Sequence, residues 1–401
     1  MQEDPSAARR QILLLVCCQA LLYINLVTLI AVNALAGLAL APTPLAATLP
    51  ITTYIAGSAL TTLPASFAMA RWGRRAGFMF GAAMGAIGCT LAALGVLAGS
   101  FVLLCFGTFV VGVNNAFGQY LRFAAADVAD AYDRSLKERA IAWVLAGGIA
   151  GGILGPELSK LTRGLLPADF AGSYAALTVV SLLACAIASR VRIPALTAAA
   201  KAAAGAARPL AQIARQPTFV VAVLVGAISY GAMNLLMTAT PLAMKVCGFG
   251  YPESADVIMW HVVAMFAPGF FTGNLIRKFG APRVMLAGCA LMFATVLIAN
   301  TGLTYWHFWG ALVALGLGWN FMFIGATTLL TSTYAPAEKA KVQGVNDLAV
   351  FVTMVSSSAA SGALISATGW FDLNLFAAPF VLAAALATFW LLALRLRPAA
   401  A

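Results

Sequence analysis

Residues 71–75 read Arg-Trp-Gly-Arg-Arg between two long apolar stretches, and residues 278–283 repeat the pattern as Lys-Phe-Gly-Ala-Pro-Arg. The central glycines, Gly73 and Gly280, are 207 residues apart. A second pair of motifs, Gly112-Val-Asn114 and Gly318-Trp-Asn320, repeats with an offset of 206 residues. Two offsets of nearly equal size predict that the chain consists of two halves related by a parallel repeat.

The composition places these halves in a membrane. Of the 401 residues, 62% are apolar and 9% are charged, whereas soluble domains carry about one quarter charged residues. Apolar runs of about 20 residues can cross a bilayer, and they predict an all-α integral membrane protein with twelve transmembrane helices in two six-helix halves. The runs lie near residues 11–34, 45–69, 76–98, 101–124, 140–160, 171–191, 217–243, 254–276, 282–301, 306–331, 343–367 and 372–395.

The basic residues set the expected orientation, because Lys and Arg are retained in short cytoplasmic loops. With both termini in the cytoplasm, 20 of the 24 Lys and Arg residues fall on the cytoplasmic side. We expect an N-terminal six-helix bundle over residues 1–189, a basic cytoplasmic linker over 190–216 and a C-terminal bundle over 217–401. The net charge of +11 is spread over these loops, so it indicates contact with the lipid bilayer rather than with nucleic acid.

Two motifs in consecutive apolar runs carry the residue types of a metal site. Met233-x-x-x-Met237 is followed by His261-x-x-x-Met265, and residues four apart lie on one face of a helix. Thioether sulfur favours Cu(I), and imidazole suits Cu, Zn, Ni and Fe, so the mixture favours copper. Counted from their shared ends at about 1.5 Å per residue, the two motifs lie at matching depths. The spacing predicts a four-ligand metal site.

Other interpretations of these residues stay open. Methionine commonly fills packing gaps. An ionisable residue within a membrane helix usually faces a cavity or pathway, so His261 could also serve a proton relay. Cys247 and Met244 stand near the proposed site and are candidates for a metal relay.

Further polar residues suggest gating or another substrate. Arg122 and Asp127 could form a charged pair, and with Asp347 they are candidates for gating or coupling. A second set of polar and aromatic residues could bind an organic solute or join helices by hydrogen bonds, the commoner use. This set comprises Asn25, Asn114, Asn115, Gln119, Tyr120, Tyr230, Asn234 and Asn320. The chain lacks a G-x-x-x-x-G-K-[ST] phosphate loop and a soluble catalytic domain, so an enzyme is not expected.

The loop motif resembles that of the major facilitator superfamily, G-x-x-x-D-R-x-G-R-R. Arg71, Gly73, Arg74 and Arg75 match its second half, whereas Ser66 and Ala70 replace the first Gly and the Asp. Gly151-x-x-x-Gly155-Pro156 is similar to a glycine and proline motif of many exporters in that superfamily, although small residues also serve close helix packing. The resemblance implies the twelve-helix major facilitator fold.

Within that superfamily, the Met and His motifs resemble the signature of CcoA-like copper transporters. The resemblance implies import of a copper ion or small copper complex from periplasm to cytoplasm across the bacterial inner membrane, for assembly of haem-copper cytochrome oxidase. Met233, Met237, His261 and Met265 would bind the copper as substrate, with no resident cofactor. A monomer would suffice. The alternatives are a transporter of an organic solute such as riboflavin or a drug, which a proton could drive, and a membrane receptor that binds metal without moving it.

Overall fold

The computed structural model describes residues 5–132, 137–193, 208–335 and 338–396. Fourteen α-helices and one short 3₁₀ helix make up most of these described residues. The first seven are α1 (Pro5–Leu40), α2 (Leu49–Trp72), α3 (Arg74–Leu97), α4 (Phe101–Gly118), α5 (Leu121–Tyr132), α6 (Lys137–Thr162) and α7 (Ala171–Ala188). The others are α8 (Leu210–Ala214), α9 (Pro217–Val246), α10 (Tyr251–Phe266), α11 (Gly269–Phe279), α12 (Ala281–Thr301), α13 (Tyr305–Thr331) and α14 (Lys339–Leu396).

The chain divides into two compact units. The first contains Met1–Leu196 and Gly248–Phe266, and the second contains Thr197–Cys247 and Ala267–Ala401. Helix α10 therefore belongs with the N-terminal helices, although it follows α9 in the sequence. The sequence-based boundaries at 1–189, 190–216 and 217–401 stay a prediction, and residues 194–207 of the linker lie outside the described residues.

The repeated glycine motif has the same backbone conformation in both places. Gly73 separates α2 from α3 with φ +84° and ψ 156°, and Gly280 separates α11 from α12 with φ +83° and ψ 149°. Positive φ values of this kind are readily accessible only to glycine. The two motifs therefore end one helix and begin the next by the same turn, as a parallel repeat requires.

Two of the predicted helices are interrupted. The run 101–124 is divided between α4 and α5 by Gln119 and Tyr120. The run 254–276 breaks between α10 and α11 next to Pro268, which has no backbone N–H for a helical hydrogen bond. The last two runs lie on either side of Gly369 within α14, where non-helical dihedral angles (φ +80°, ψ −173°) separate two helical stretches, as the two runs predict.

Length and apolar composition support membrane insertion. Eight helical stretches within the described residues could cross a membrane, and α10 with α11 makes a ninth when they are counted as one bent span. Each of the twelve apolar runs falls on one or more of these fourteen helices. The predicted all-α class is therefore confirmed.

In the first unit, α1 packs against α6 and α7, α4 packs against α2 and α3, and α10 packs against α6. A buried apolar cluster joins α1, α5 and α6, with Leu15, Val128 and Val144 among its fully buried members. Helix α4 begins at Ser100, whose hydroxyl oxygen accepts a hydrogen bond from the Leu103 N–H at 3.3 Å. This is an ordinary N-cap contact.

In the second unit, α9 packs against α13 and α14, and α12 packs against α13 and α14. The described end of the linker is tied to the segment before α14 by Glu338, whose side chain is buried. Its two carboxylate oxygens accept hydrogen bonds from Arg208 Nε and Arg208 Nη2, at 2.8 and 2.7 Å. The Ala335 N–H also donates to this carboxylate, at 2.9 Å. Arg208 and Ala335 together hold the pKa of Glu338 well below its usual range.

Candidate functional site

The four residues of the proposed metal site lie in buried parts of their helices. Met233 and Met237 are 3% and 5% exposed, one turn apart on α9 in the second unit. His261 is fully buried and Met265 is 7% exposed, one turn apart on α10 in the first unit. Each pair has the spacing that its motif predicts, and the joint four-ligand site stays a prediction. Among the described residues, no group of three or more His, Cys, Asp or Glu side chains could hold a metal ion.

The two residues of the proposed relay stand at the end of α9. Met244 is fully buried, and Cys247 caps the helix as a half-buried free thiol. Burial raises the pKa of the Cys247 thiol. Because the thiolate is the form that binds metals, this shift weakens Cys247 as a ligand at neutral pH. The relay role stays a prediction.

An aromatic cluster in the second unit joins α9 to α13. Trp319 and Phe323, one turn apart on α13, are stacked with ring centroids 5.2 Å apart and planes 14° apart. Tyr230 meets both rings edge-on, at 5.1 Å from Trp319 and 4.7 Å from Phe323. Tyr230 and Phe323 are half-buried. We call these three residues the aromatic cluster. Of these three residues the sequence predicts only Tyr230 as a solute contact, although Trp319 and Phe323 show a W-x-x-x-F spacing.

Several of the polar residues suggested for an organic solute instead join helices within one unit. Asn234 Nδ2 on α9 donates to the Met354 carbonyl at 3.0 Å and to Ser357 Oγ at 3.1 Å, both on α14. Asn320 Oδ1 on α13 accepts a hydrogen bond from Thr272 Oγ1 on α11 at 2.6 Å. These are the helix-joining contacts that buried amides commonly make in membranes.

The first unit shows the same use of amides. Asn115 Nδ2 on α4 donates to Ser58 Oγ on α2 at 2.8 Å. Asn25 on α1 accepts from Ser181 Oγ on α7 at 3.3 Å, and it lines a small cavity that also includes Asn114. The amides that join helices are therefore better described as structural than as solute-binding: Asn25, Asn115, Asn234 and Asn320.

The candidates for gating or coupling occupy separate places. Asp127 on α5 forms a salt bridge of 2.6 Å with Arg74, a partner that the sequence spacing does not indicate. The Arg122 guanidinium lies 4.9 Å from the Phe123 ring centroid, and Asp347 on α14 is exposed. Arg74 is part of the loop motif of residues 71–75, in which Ala70 stands at the position of the usual Asp. Asp127 therefore supplies this motif with a carboxylate from α5. The roles of Arg122, Asp127 and Asp347 in gating or coupling stay predictions.

The glycine and proline motif of α6 lies against α1. A Cβ added at Gly151 would lie 2.2 Å from the Ala20 carbonyl oxygen, and one at Gly155 would lie 2.9 Å from the Ile24 carbonyl oxygen. Thr28 Oγ1 on α1 also donates to the Gly155 carbonyl at 2.9 Å. The motif therefore allows two helices to pack closely.

Comparison with known proteins identifies the fold family. A family model described as Major Facilitator Superfamily matches residues 15–269, which is more than half of the chain. This chain belongs to the major facilitator superfamily. Its relatives include the riboflavin transporter RfnT of Brucella anthropi, which is 41% identical over 379 residues covering 94% of each protein. Two uncharacterized MFS-type transporters of Bacillus subtilis, YddS and YdeG, are 28% and 27% identical over 82% of this chain and 78% and 79% of their own.

Membership in the major facilitator superfamily confirms the predicted fold class and the multi-pass membrane character of the chain. It also confirms a transporter rather than an enzyme. The finer assignment to copper importers is not supported by these relatives, because RfnT is named for riboflavin.

Proposed function

We propose that this chain is a secondary transporter of an organic solute, with riboflavin as its first candidate substrate. The observation that carries the proposal is the 41% identity to the riboflavin transporter RfnT, which extends over 94% of both proteins. The alternative solute expected from the sequence is thus better supported than copper. Transport would follow alternating access, in which the two repeats rock around the bound solute.

The aromatic cluster is the proposed contact for the flavin ring system. Aromatic pairs favour stacked and edge-to-face arrangements and contribute about 0.5–1.5 kcal/mol beyond area burial. The half-buried rings of Tyr230 and Phe323 retain surface for such contact, while the buried Trp319 holds Phe323 in a stacked pair. The planar isoalloxazine ring of riboflavin would stack on or meet these rings edge-on.

Uptake of radiolabelled riboflavin tests the proposal. The host would be a bacterial strain that can neither synthesise nor import riboflavin, and uptake would be normalised to the amount of transporter in the membrane. The parent chain should restore uptake and growth on low riboflavin. The proposal is wrong if the parent protein is present in the membrane and riboflavin does not accumulate.

The variant Trp319→Leu tests the aromatic cluster, because it removes the buried ring that holds Phe323 in its stacked position. It should raise KM for riboflavin by roughly 3- to 10-fold, the ratio that corresponds to the energy of one aromatic pair. Trp370→Leu is the matched control, because Trp370 is also in the second unit, is 7% exposed against 4% for Trp319, and pairs with Phe308 outside the cluster. Equal KM values in the two variants would refute the assignment of the aromatic cluster while leaving riboflavin transport intact.

Copper import is the second candidate, because the two Met and His motifs are present in full. Under this proposal, copper enters from the periplasm, binds Met233, Met237, His261 and Met265, and supplies haem-copper cytochrome oxidase assembly. Neutral imidazole is the binding form, so uptake should fall as His261 becomes protonated. Radioactive copper uptake by the parent, lost in Met233→Ala and in His261→Ala, would support this candidate.

The orientation and location are part of the same proposal. We infer a bacterial inner membrane protein with both termini in the cytoplasm, acting as a monomer, since most basic residues fall on one side under that arrangement. Reporter fusions after Arg10 and after Arg395 test it. A reporter active only in the cytoplasm should be active at both positions, and activity of a periplasmic reporter there would contradict the orientation.

A further inference from the structure

The small cavity of the first unit brings together two buried amides from different helices. Asn25 on α1 is 2% exposed, and Asn114 on α4 is 7% exposed. The cavity has a volume of about 30 Å³, and the rest of its lining is mostly apolar. The other lining residues are Cys18, Leu22, Phe78, Ala82, Phe117, Gly118, Leu121, Ala184 and Ala188. Two amides in an apolar lining make this cavity a candidate binding site for a small polar ligand.

The amide of Asn114 has unused hydrogen-bonding capacity. Within the part of the chain that the structure describes, it makes no hydrogen bond to another residue. A Cβ added at Gly85 on α3 would lie 2.7 Å from Asn114 Nδ2, so the missing side chain at Gly85 makes room for this amide. A buried amide without a hydrogen-bond partner is costly. Asn114 therefore calls for a ligand that can donate and accept hydrogen bonds.

The amide of Asn25 is only partly used by the protein. Its Oδ1 accepts hydrogen bonds from Cys89 Sγ at 3.5 Å and from Ser181 Oγ at 3.3 Å. Its Nδ2 donates to the Leu21 carbonyl at 3.1 Å, the one acceptor it has among the described residues. Because a side-chain amide nitrogen carries two N–H groups, the second N–H of Asn25 is available to a ligand in the cavity.

The second unit satisfies the corresponding amide with a protein hydroxyl. Asn320, the counterpart of Asn114 in the repeated Gly-x-Asn motif, accepts a hydrogen bond from Thr272 Oγ1 at 2.6 Å. Thr272 lies eight residues before the loop glycine of its unit, and the residue at that position in the first unit is Ala65. An alanine side chain cannot donate a hydrogen bond. The repeat thus replaces the protein partner of this amide by a methyl group in the first unit.

We propose that the cavity binds an ordered water molecule that hydrogen-bonds both Asn25 and Asn114. A buried water needs roughly 10–15 Å³ of space and two to four polar partners, and this cavity exceeds that volume. The water accepts the second N–H of Asn25 and hydrogen-bonds the Asn114 amide, which joins α1 to α4. An apolar occupant would leave both amides without this contact. The water serves Asn114 as the Thr272 hydroxyl serves its counterpart, whichever solute is carried.

X-ray hydroxyl-radical labelling of the purified protein tests for this water, because radicals formed from a bound water oxidise the side chains beside it. Phe78 and Phe117 line the cavity and are 6% and 4% exposed. Phe219 on α9 is the matched control, since it is 5% exposed and does not line the cavity. Phe78 and Phe117 should be oxidised several-fold faster than Phe219. Equal oxidation rates for the three residues would overturn the proposal.

The variant Asn114→Leu tests the role of the amide. Leucine is similar in size but cannot hydrogen-bond the water, so oxidation of Phe78 and Phe117 should fall to the rate of Phe219. The Tm should decrease by about 1–2 °C, the shift for one lost hydrogen bond in a chain of this length. A Tm equal to or above that of the parent would overturn the proposal, because it would show that Asn114 is buried without a partner.

Asn115→Leu is the matched control variant, one residue farther along α4. Asn115 donates directly to Ser58 Oγ at 2.8 Å and does not line the cavity. This variant should also lower Tm, but Phe78 and Phe117 should be oxidised at the parent rate. Loss of their labelling in Asn115→Leu as well as in Asn114→Leu would overturn the proposal, since it would show that the labelling does not depend on the cavity amide. These measurements require no substrate, so they are independent of riboflavin transport.

Discussion

The close packing of α6 on α1 makes a quantitative prediction for Gly151→Ala. A Cβ at Gly151 would lie 2.2 Å from the Ala20 carbonyl oxygen and 2.7 Å from Tyr23 Cβ, whereas ordinary contacts begin at 3.4 Å. Both neighbours are backbone or near-backbone atoms, so a helix must move by roughly 1 Å; such overpacking typically costs about 1–3 kcal/mol. With the unfolding entropy of soluble proteins, this corresponds to a decrease in Tm of about 1–4 °C.

The matched control is Gly148→Ala, three residues earlier on the same helix. Its added Cβ would lie 3.5 Å from the Tyr23 ring, an ordinary contact, so Tm should stay within experimental error of the parent. Thermal unfolding of the two purified variants in one detergent provides the comparison. Equal Tm values for Gly151→Ala and Gly148→Ala would refute the packing argument. A Gly151→Ala protein of normal stability that failed only in transport would instead favour a functional role for the glycine motif.

Three further predictions concern stability. Arg208 lowers the folded-state pKa of Glu338, so the carboxylate stabilises the protein fully above its ordinary pKa of 4.5 and progressively less as pH falls below it. Glu338→Gln should therefore reduce the loss of Tm in acid. An unchanged dependence of Tm on acid pH in this variant would contradict the assignment. Asn234→Leu should cost about 0.6 kcal/mol, the average for hydrogen bonds between membrane helices, and leave the KM of solute uptake unchanged, whereas a raised KM would show that Asn234 binds solute. Gly280→Ala should cost about 1–2 kcal/mol because of its positive φ, and Gly280→Asn should cost less; equal Tm values for these two variants would show that the φ angle is not responsible.

The sequence predicted most of the fold because hydrophobic length and glycine conformation are local properties. All twelve apolar runs fall on helices, and the repeated motifs at Gly73 and Gly280 make the same turn. The placement of α10 with the N-terminal helices depends on packing between Gly152 and Val262, which are 110 residues apart. The break at Gly369 within α14, by contrast, falls between the predicted runs 343–367 and 372–395.

Less of the candidate site could be predicted from the sequence, because its contacts also join residues that are far apart along the chain. In the sequence, Trp319 and Phe323 look like ordinary apolar residues of a membrane span. The structure places Tyr230 edge-on to both rings. The sequence pairs Asp127 with Arg122, a neighbour along the chain, whereas the structure shows a salt bridge to Arg74, 53 residues earlier. Pairings across such distances depend on how helices are arranged, and a single sequence does not specify that arrangement.

The two proposed substrates make opposite demands on the same α9 and α13 side chains. A copper site needs the sulfur atoms of Met233 and Met237, whereas packing needs only their volume, which leucine nearly preserves. Under riboflavin transport, Met233→Leu with Met237→Leu should retain uptake, and Trp319→Leu should lose affinity. Under copper transport, the Met double variant should lose uptake and Trp319→Leu should retain it. Four matching motif residues weigh less than 41% identity over 379 residues, because buried methionines also arise from packing alone. Measured side by side with both substrates, these variants separate a metal site from a packed core.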